Sequence, residues 1–233
     1  MTFNYELVNK IIDEILPLPY QFGIDLEEES ELPNWIEEDI MGHLSLVDPD
    51  ARLYHGVSKL VIVSPNLGGV VIKIPFNGWF AEYEQGNYQF YEFYAANAGI
   101  GTDYCLAEYE TYQDLKRRHL NCFAAKTLLY KKVCGFRIYI QEWTTPCEDD
   151  FEDHLPSPKS RQIAQKWKDE FYVDSEWIAN CIDYYGEKKV EEFLHYCNYE
   201  NDTISEDLHS GNYGYRDNGT PCLLDFSGFC DDM

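Results

Sequence analysis

The dipeptide Asn218-Gly219 restricts what this chain can fold into more than any other feature. Asn-Gly tolerates positive φ at both central turn positions, so the apolar runs at 213–216 and 222–226 are expected to close into a hairpin. A hairpin returns its outer ends to one place. Asn212 precedes the first run and Asp225 lies in the second, so an amide oxygen and a carboxylate are expected at the same end. Such oxygens suit a hard divalent cation such as magnesium, whose octahedral shell is often completed by water. Asp207 stands five residues before Asn212 and offers a second carboxylate. Phosphoryl transfer needs groups of this kind: a metal to hold the charged phosphates in line, and a carboxylate to orient or deprotonate the attacking group.

The 233 residues suffice for one large domain or for two small lobes around a cleft. Nineteen tyrosines and thirteen phenylalanines predict an aromatic interior. The net charge of −24 argues against nucleic-acid binding through a basic face and against docking on anionic membranes. The eight cysteines form no Cys-x-x-Cys pair, which removes support for a zinc ribbon. Free thiols in a reducing cytosol are the simplest expectation. The start, Met-Thr-Phe-Asn-Tyr-Glu, lacks the basic and apolar regions of a signal peptide, and no stretch has the apolar length of a membrane span.

Residues 1–50 form an acidic zone, with thirteen carboxylates against one lysine. Within it, residues 5–16 carry apolar side chains at helical spacing, and Pro17 stops the run. Residues 35–41 read as a second short helix. This zone is expected to cap the first lobe, with a protein-docking arm as the alternative. Residues 51–55, 60–64 and 70–75 read as strands, the last two joined by the turn Pro65-Asn66-Leu67-Gly68-Gly69. Residues 79–98 are expected to be a helix, with Glu84, Tyr88, Tyr91, Ala95 and Ala98 on one face. Residues 122–133 and 136–143 read as a strand pair about Cys134-Gly135. An acidic, proline-containing linker at 147–158 leads to three helices at 159–171, 174–184 and 187–198, with Asp174 as the cap of the second.

The ordered set Asp207-Leu208-His209-Ser210-Gly211-Asn212, then Leu224-Asp225-Phe226-Ser227-Gly228, resembles the catalytic loop and Asp-Phe-Gly segment of the protein-kinase-like superfamily. His209 makes it more similar to the aminoglycoside and choline kinase branch. The local wording is also similar to short kinase-like proteins of bacteriophages. The resemblance is sharp over some 25 residues and looser over the preceding 150 or so. It implies an α+β fold of two lobes: residues 51–145 as an antiparallel sheet with one helix, and residues 146–233 as a reduced, mainly helical lobe ending just after the Asp-Phe-x-Gly segment.

The resemblance also implies roles. Val71-Ile72-Lys73 is similar to the Val-Ala-Ile-Lys strand, so Lys73 would hold the α- and β-phosphates of ATP, braced by Glu84, with Glu92 as a fallback. Gly56, with Ser58 and Lys59, stands where a phosphate loop belongs, although the Gly-x-Gly-x-x-Gly pattern is absent; backbone N–H groups of a short turn can still cradle an anion. Glu142 lies at the hinge, whose backbone binds adenine in this family. Asp207 would orient the acceptor, and Asn212 and Asp225 would hold Mg2+.

Two functional classes follow. One is an ATP- and magnesium-dependent phosphotransferase whose acceptor is undefined, because no activation segment follows Gly228. The other is a pseudokinase that regulates through protein contacts, for instance through the acidic zone. Charge alone motivates a third reading, an acidic decoy for a nucleic-acid-binding protein. None of the three defines an oligomeric state.

Overall fold

The computed structural model describes residues 1–15, 34–55, 59–75, 80–84, 87–91, 104–133, 136–147, 155–171, 175–200, 208 and 210–226. The fold is mixed α+β. It divides into two compact units: residues 1–107 with 127–142, and residues 108–126 with 143–231. Against the expected boundary at 145/146, the division falls at 142/143 and gives 108–126 to the second unit.

The first unit is built on an antiparallel sheet of order β1-β2-β3-β7-β6, with β1 at Arg52–His55, β2 at Lys59–Val63, β3 at Val70–Pro75, β6 at Thr127–Val133 and β7 at Phe136–Glu142. One face carries Leu53, Leu60, Ile62, Val70, Ile72, Ile74, Ile138 and Ile140, which share a core with the helices α1 (Tyr5–Ile15) and α2 (Asn34–Val47). The α1 stripe is Val8, Ile11, Ile12 and Ile15, all fully buried. Burying such side chains contributes roughly 1.5–3 kcal/mol each, which outweighs the weak intrinsic helicity of an 11-residue segment. Asn4 starts the helix by accepting the Leu7 N–H at 3.2 Å. The apolar face of α1 is therefore spent on the chain's own core, and is not the docking face of an arm.

The turn between β2 and β3 forms as its glycines require, with φ near +80° at Gly68 and Gly69. Asp48, at the end of α2, is buried beside it and accepts hydrogen bonds from Ser64 Oγ (2.6 Å) and Asn66 Nδ2 (2.9 Å). Burial favours the neutral acid, but these bonds outweigh it and hold the Asp48 carboxyl below its usual range.

The helix expected at 79–98 does not form over its described part. The described residues there form two antiparallel strands, β4 (Phe80–Glu84) paired with β5 (Asn87–Tyr91). Aromatic residues favour strands, and the pairing runs from Phe80–Tyr91 to Glu84–Asn87. Glu84 thus sits at a strand end, in register with Asn87, and not on a helix. Glu92 lies outside the described residues. The helix of this region is α3, Tyr104–Arg117.

The second unit holds α4 (Pro158–Phe171), α5 (Ser175–Tyr185) and α6 (Glu187–Tyr199), with a small antiparallel sheet of β8 (Thr145–Pro146), β9 (Tyr213–Tyr215) and β10 (Pro221–Leu223). The helices match the expected spans closely; Asp174 lies outside the described residues. Aromatic stacking organises this core: Trp177 on Tyr213 at 4.5 Å and Phe123 on Phe193 at 4.3 Å. Gly186, at φ +84°, turns the chain from α5 into α6. Among the described residues no helix is long and apolar enough to cross a membrane.

Candidate functional site

The hairpin around Asn218-Gly219 forms, with Gly219 alone of the pair at positive φ. Tyr213 pairs with Leu223, Gly214 with Cys222 and Tyr215 with Pro221. Gly219 takes φ +80°, its N–H reaches the Arg216 carbonyl at 2.7 Å, and the Asn218 side chain accepts the Thr220 N–H. At the open end the ladder runs one bond further: the Leu224 N–H donates to the Asn212 carbonyl at 2.9 Å. Asn212 and Asp225 accordingly leave the hairpin at the same end. Asn212 is buried and Asp225 half-buried, and both make contacts within the protein.

The hairpin is held along its length. Gly214 passes so close to β8 that a β-carbon would stand 2.6 Å from the Thr145 carbonyl oxygen. The Arg216 guanidinium donates to the carbonyls of Cys122 (3.0 Å) and Ala124 (2.8 Å). The Tyr185 hydroxyl bridges the carbonyls of Cys122 and Pro221. Burial pushes the Tyr185 phenol far up, so it remains a neutral donor. Leu208 is buried, and its carbonyl accepts the Tyr213 hydroxyl at 2.5 Å, which pins the residue after Asp207. Asp207 and His209 themselves lie outside the described residues.

An amide oxygen and a carboxylate at one hairpin end are the donor types that a hard divalent cation takes. No three His, Cys, Asp or Glu side chains among the described residues are grouped to hold a metal by themselves. The six cysteines there are unbonded thiols.

In the first unit Lys73 lies in β3 between Val61 of β2 and Tyr139 of β7. It alternates with Ile72 and Ile74 of the core, so it points to the opposite face of the sheet. There it is only 4% exposed, with Tyr139 fully buried beside it. Gln141, on the same face, donates to Thr127 Oγ1 at 3.0 Å. Glu142 pairs with Val70, which puts its side chain on the α1/α2 face; the backbone is the part that remains for the expected hinge role. Gly56 and Ser58 lie outside the described residues.

One charged residue of interest escaped the sequence reading. Glu108 is fully buried on α3, in the stripe Cys105, Glu108, Tyr112 and Leu115. A buried carboxylate is rare unless partnered, and Glu108 does have interactions. The stripe spacing was the available signal, hidden because a glutamate does not mark a core position. Lys59, expected in the bend that stands for the phosphate loop, is instead the first residue of β2 and is 4% exposed.

Comparison with known proteins gives no match for this chain, whether to a protein-family model, a curated protein or a solved structure.

Proposed function

We propose that this protein is an ATP- and magnesium-dependent phosphotransferase with a two-lobe, protein-kinase-like fold. The observation that carries the reading is the shared hairpin end of Asn212 and Asp225, joined by the Leu224–Asn212 backbone bond. In this reading Asn212 and Asp225 hold Mg2+, which when bound neutralises the charge on the phosphates. Lys73 offers its ammonium to the phosphate chain from a buried strand position, where a charge interaction is stronger than in water. Asp207 accepts the proton of an acceptor hydroxyl as its oxygen takes the γ-phosphoryl group and ADP leaves. Glu84 stands at a strand end and not on the helix that the resemblance asks for.

The test is calorimetric titration of the full chain with ATP, with and without magnesium, alongside Asp225→Ala. Magnesium-dependent binding that disappears in the variant is expected; no binding at millimolar ATP overturns the reading. Asp207→Ala is expected to abolish turnover while ATP binding persists.

A binding or regulatory module on the same fold is the second reading. What favours it is the β4–β5 strand pair standing where the helix with Glu84 was expected. Its signature is a captured protein partner whose binding is indifferent to Asp225→Ala.

A further inference from the structure

The turn that carries Asn212 is tied at both ends. Ser210–Asn212 makes one short helical turn, and the chain runs from it directly into β9 at Tyr213. The Tyr213 hydroxyl reaches back past the turn and donates to the Leu208 carbonyl at 2.5 Å. At the other end the Leu224 N–H donates to the Asn212 carbonyl at 2.9 Å. One tie is a side chain, and the other is the backbone that leads to Asp225.

Tyr213 is a fixed post for its tie. It is fully buried, and its ring stacks on Trp177 at 4.5 Å with 11° between the planes. Trp177 in turn meets Phe193 of α6 edge-on at 6.4 Å. The Tyr213 backbone pairs with Leu223, and its carbonyl accepts the Cys147 N–H at 2.9 Å. Close packing on this scale leaves the ring little room to change rotamer. Burying a phenol costs more than burying a phenyl ring unless the hydroxyl is hydrogen-bonded. A phenylalanine would stack on Trp177 as well; a donor for Leu208 is what tyrosine adds. Leu208 is itself buried, so water is a poor substitute for that donor.

We propose that Tyr213 is a positioning residue for this site: its hydroxyl holds the turn 210–212 in the conformation that keeps Asn212 at the end shared with Asp225, and so sets the affinity for the divalent cation. The inference rests on the phosphotransferase reading for the cation. The tie itself rests on the hydrogen bonds and the ring stack. Tyr213 touches neither cation nor phosphate; it acts through the backbone on either side of Asn212.

The probe is Mn2+ with ATP, because Mn2+ takes the same carboxylate, carbonyl and water oxygens as magnesium and is read directly by electron paramagnetic resonance. It is titrated into the full-length protein, Tyr213→Phe and Tyr215→Phe. Tyr215 is the matched control: it lies on the same strand, is buried, and its hydroxyl accepts from Asn180 Nδ2 at 3.1 Å. Tyr213→Phe is expected to weaken ATP-dependent Mn2+ binding by about tenfold, as loss of a buried hydrogen bond does, and Tyr215→Phe to leave it unchanged. Hydrogen exchange is the second readout: the amides of 210–212 are expected to exchange faster in Tyr213→Phe alone. Wild-type Mn2+ affinity in Tyr213→Phe overturns the proposal. So does an equal loss in Tyr215→Phe, which would reduce the effect to a general softening of the hairpin. If the wild-type protein binds no Mn2+ with ATP, the phosphotransferase reading falls and exchange alone decides the tie. Faster exchange at 210–212 in Tyr213→Phe then keeps it, and unchanged exchange overturns it. If Tyr213→Phe does not melt cooperatively, a crystal structure of the wild-type protein with Mn2+ and ATP decides. The Tyr213 hydroxyl on the Leu208 carbonyl with Mn2+ on Asn212 supports the proposal; a hydroxyl turned to another partner, or Mn2+ held without Asn212, overturns it.

Discussion

Gly214 shows how tightly single residues hold the hairpin end. Its hypothetical β-carbon meets the Thr145 carbonyl oxygen and a Leu224 methyl, each at 2.6 Å. The methyl can swing aside, but the carbonyl belongs to β8, whose backbone is tied to β9 by pairing at Thr145 and Pro146. Gly214→Ala is therefore expected to destabilise the protein by about 1–3 kcal/mol, the usual cost of overpacking. A lower urea midpoint at an unchanged denaturant slope is the measurement. An unaltered midpoint would mean that β8 and β9 do not approach so closely. Because the Leu224–Asn212 bond lies two residues along, the same substitution should also weaken any divalent cation held by Asn212 and Asp225.

At the scale of elements, turn chemistry made the structure legible. Strands β1 to β3 and the 213–223 hairpin were readable because Gly68-Gly69 and Asn218-Gly219 leave the backbone little choice, and the candidate metal ligands came with the hairpin. Lys73 was readable because it interrupts an apolar strand. Lys59 was singled out with the bend at 56–59, but its place on β2 was not legible, because the strand was expected to begin at residue 60. The aromatic run 79–91 carries its apolar residues at spacings that suit either a helix or a strand, and only pairing decides between them. Glu108 was hidden because burial of a carboxylate is set by partners distant in sequence.

Two predictions belong to the helices. Ser157 caps α4, its Oγ accepting the Ser160 N–H, and Asp183 of α5 accepts from Ser157 N–H (2.6 Å) and Ser160 Oγ (2.6 Å). Ser157→Ala is expected to lower stability by about 0.5–2 kcal/mol, as loss of an N-cap does, and a thermal melt measures it. Ile12→Ala should cost about 2–5 kcal/mol, because α1 seals the sheet. If α1 were a free docking arm instead, that substitution would leave the melting temperature unchanged.

For the whole molecule, charge sets the response to pH. At neutral pH the net −24 opposes compaction, and screening by salt or partial protonation towards the isoelectric point near 4.4 relieves it. Among the described residues, three partly buried carboxylates work in the other sense. Burial favours the neutral form of Asp183, but hydrogen bonds from Ser157 and Ser160 outweigh it and hold the group below its usual range. Burial likewise acts on Asp114, and is outweighed by Tyr196, Arg118 and Arg117; Asp48 completes the set. A carboxyl with a lowered folded pKa stabilises fully above its unfolded value of about 3.9, and that stabilisation is lost as pH falls through the folded value. Stability is thus expected to hold or rise from pH 7 to 5, then to drop below pH 4 as these three groups take up protons. Urea midpoints at each pH test this at fixed ionic strength. Asp183→Asn should lower the midpoint at pH 7 and flatten the fall below pH 4, since one of the titrating groups is gone. A variant profile parallel to the wild type would remove Asp183 from the acid transition and leave that fall to the other two carboxylates.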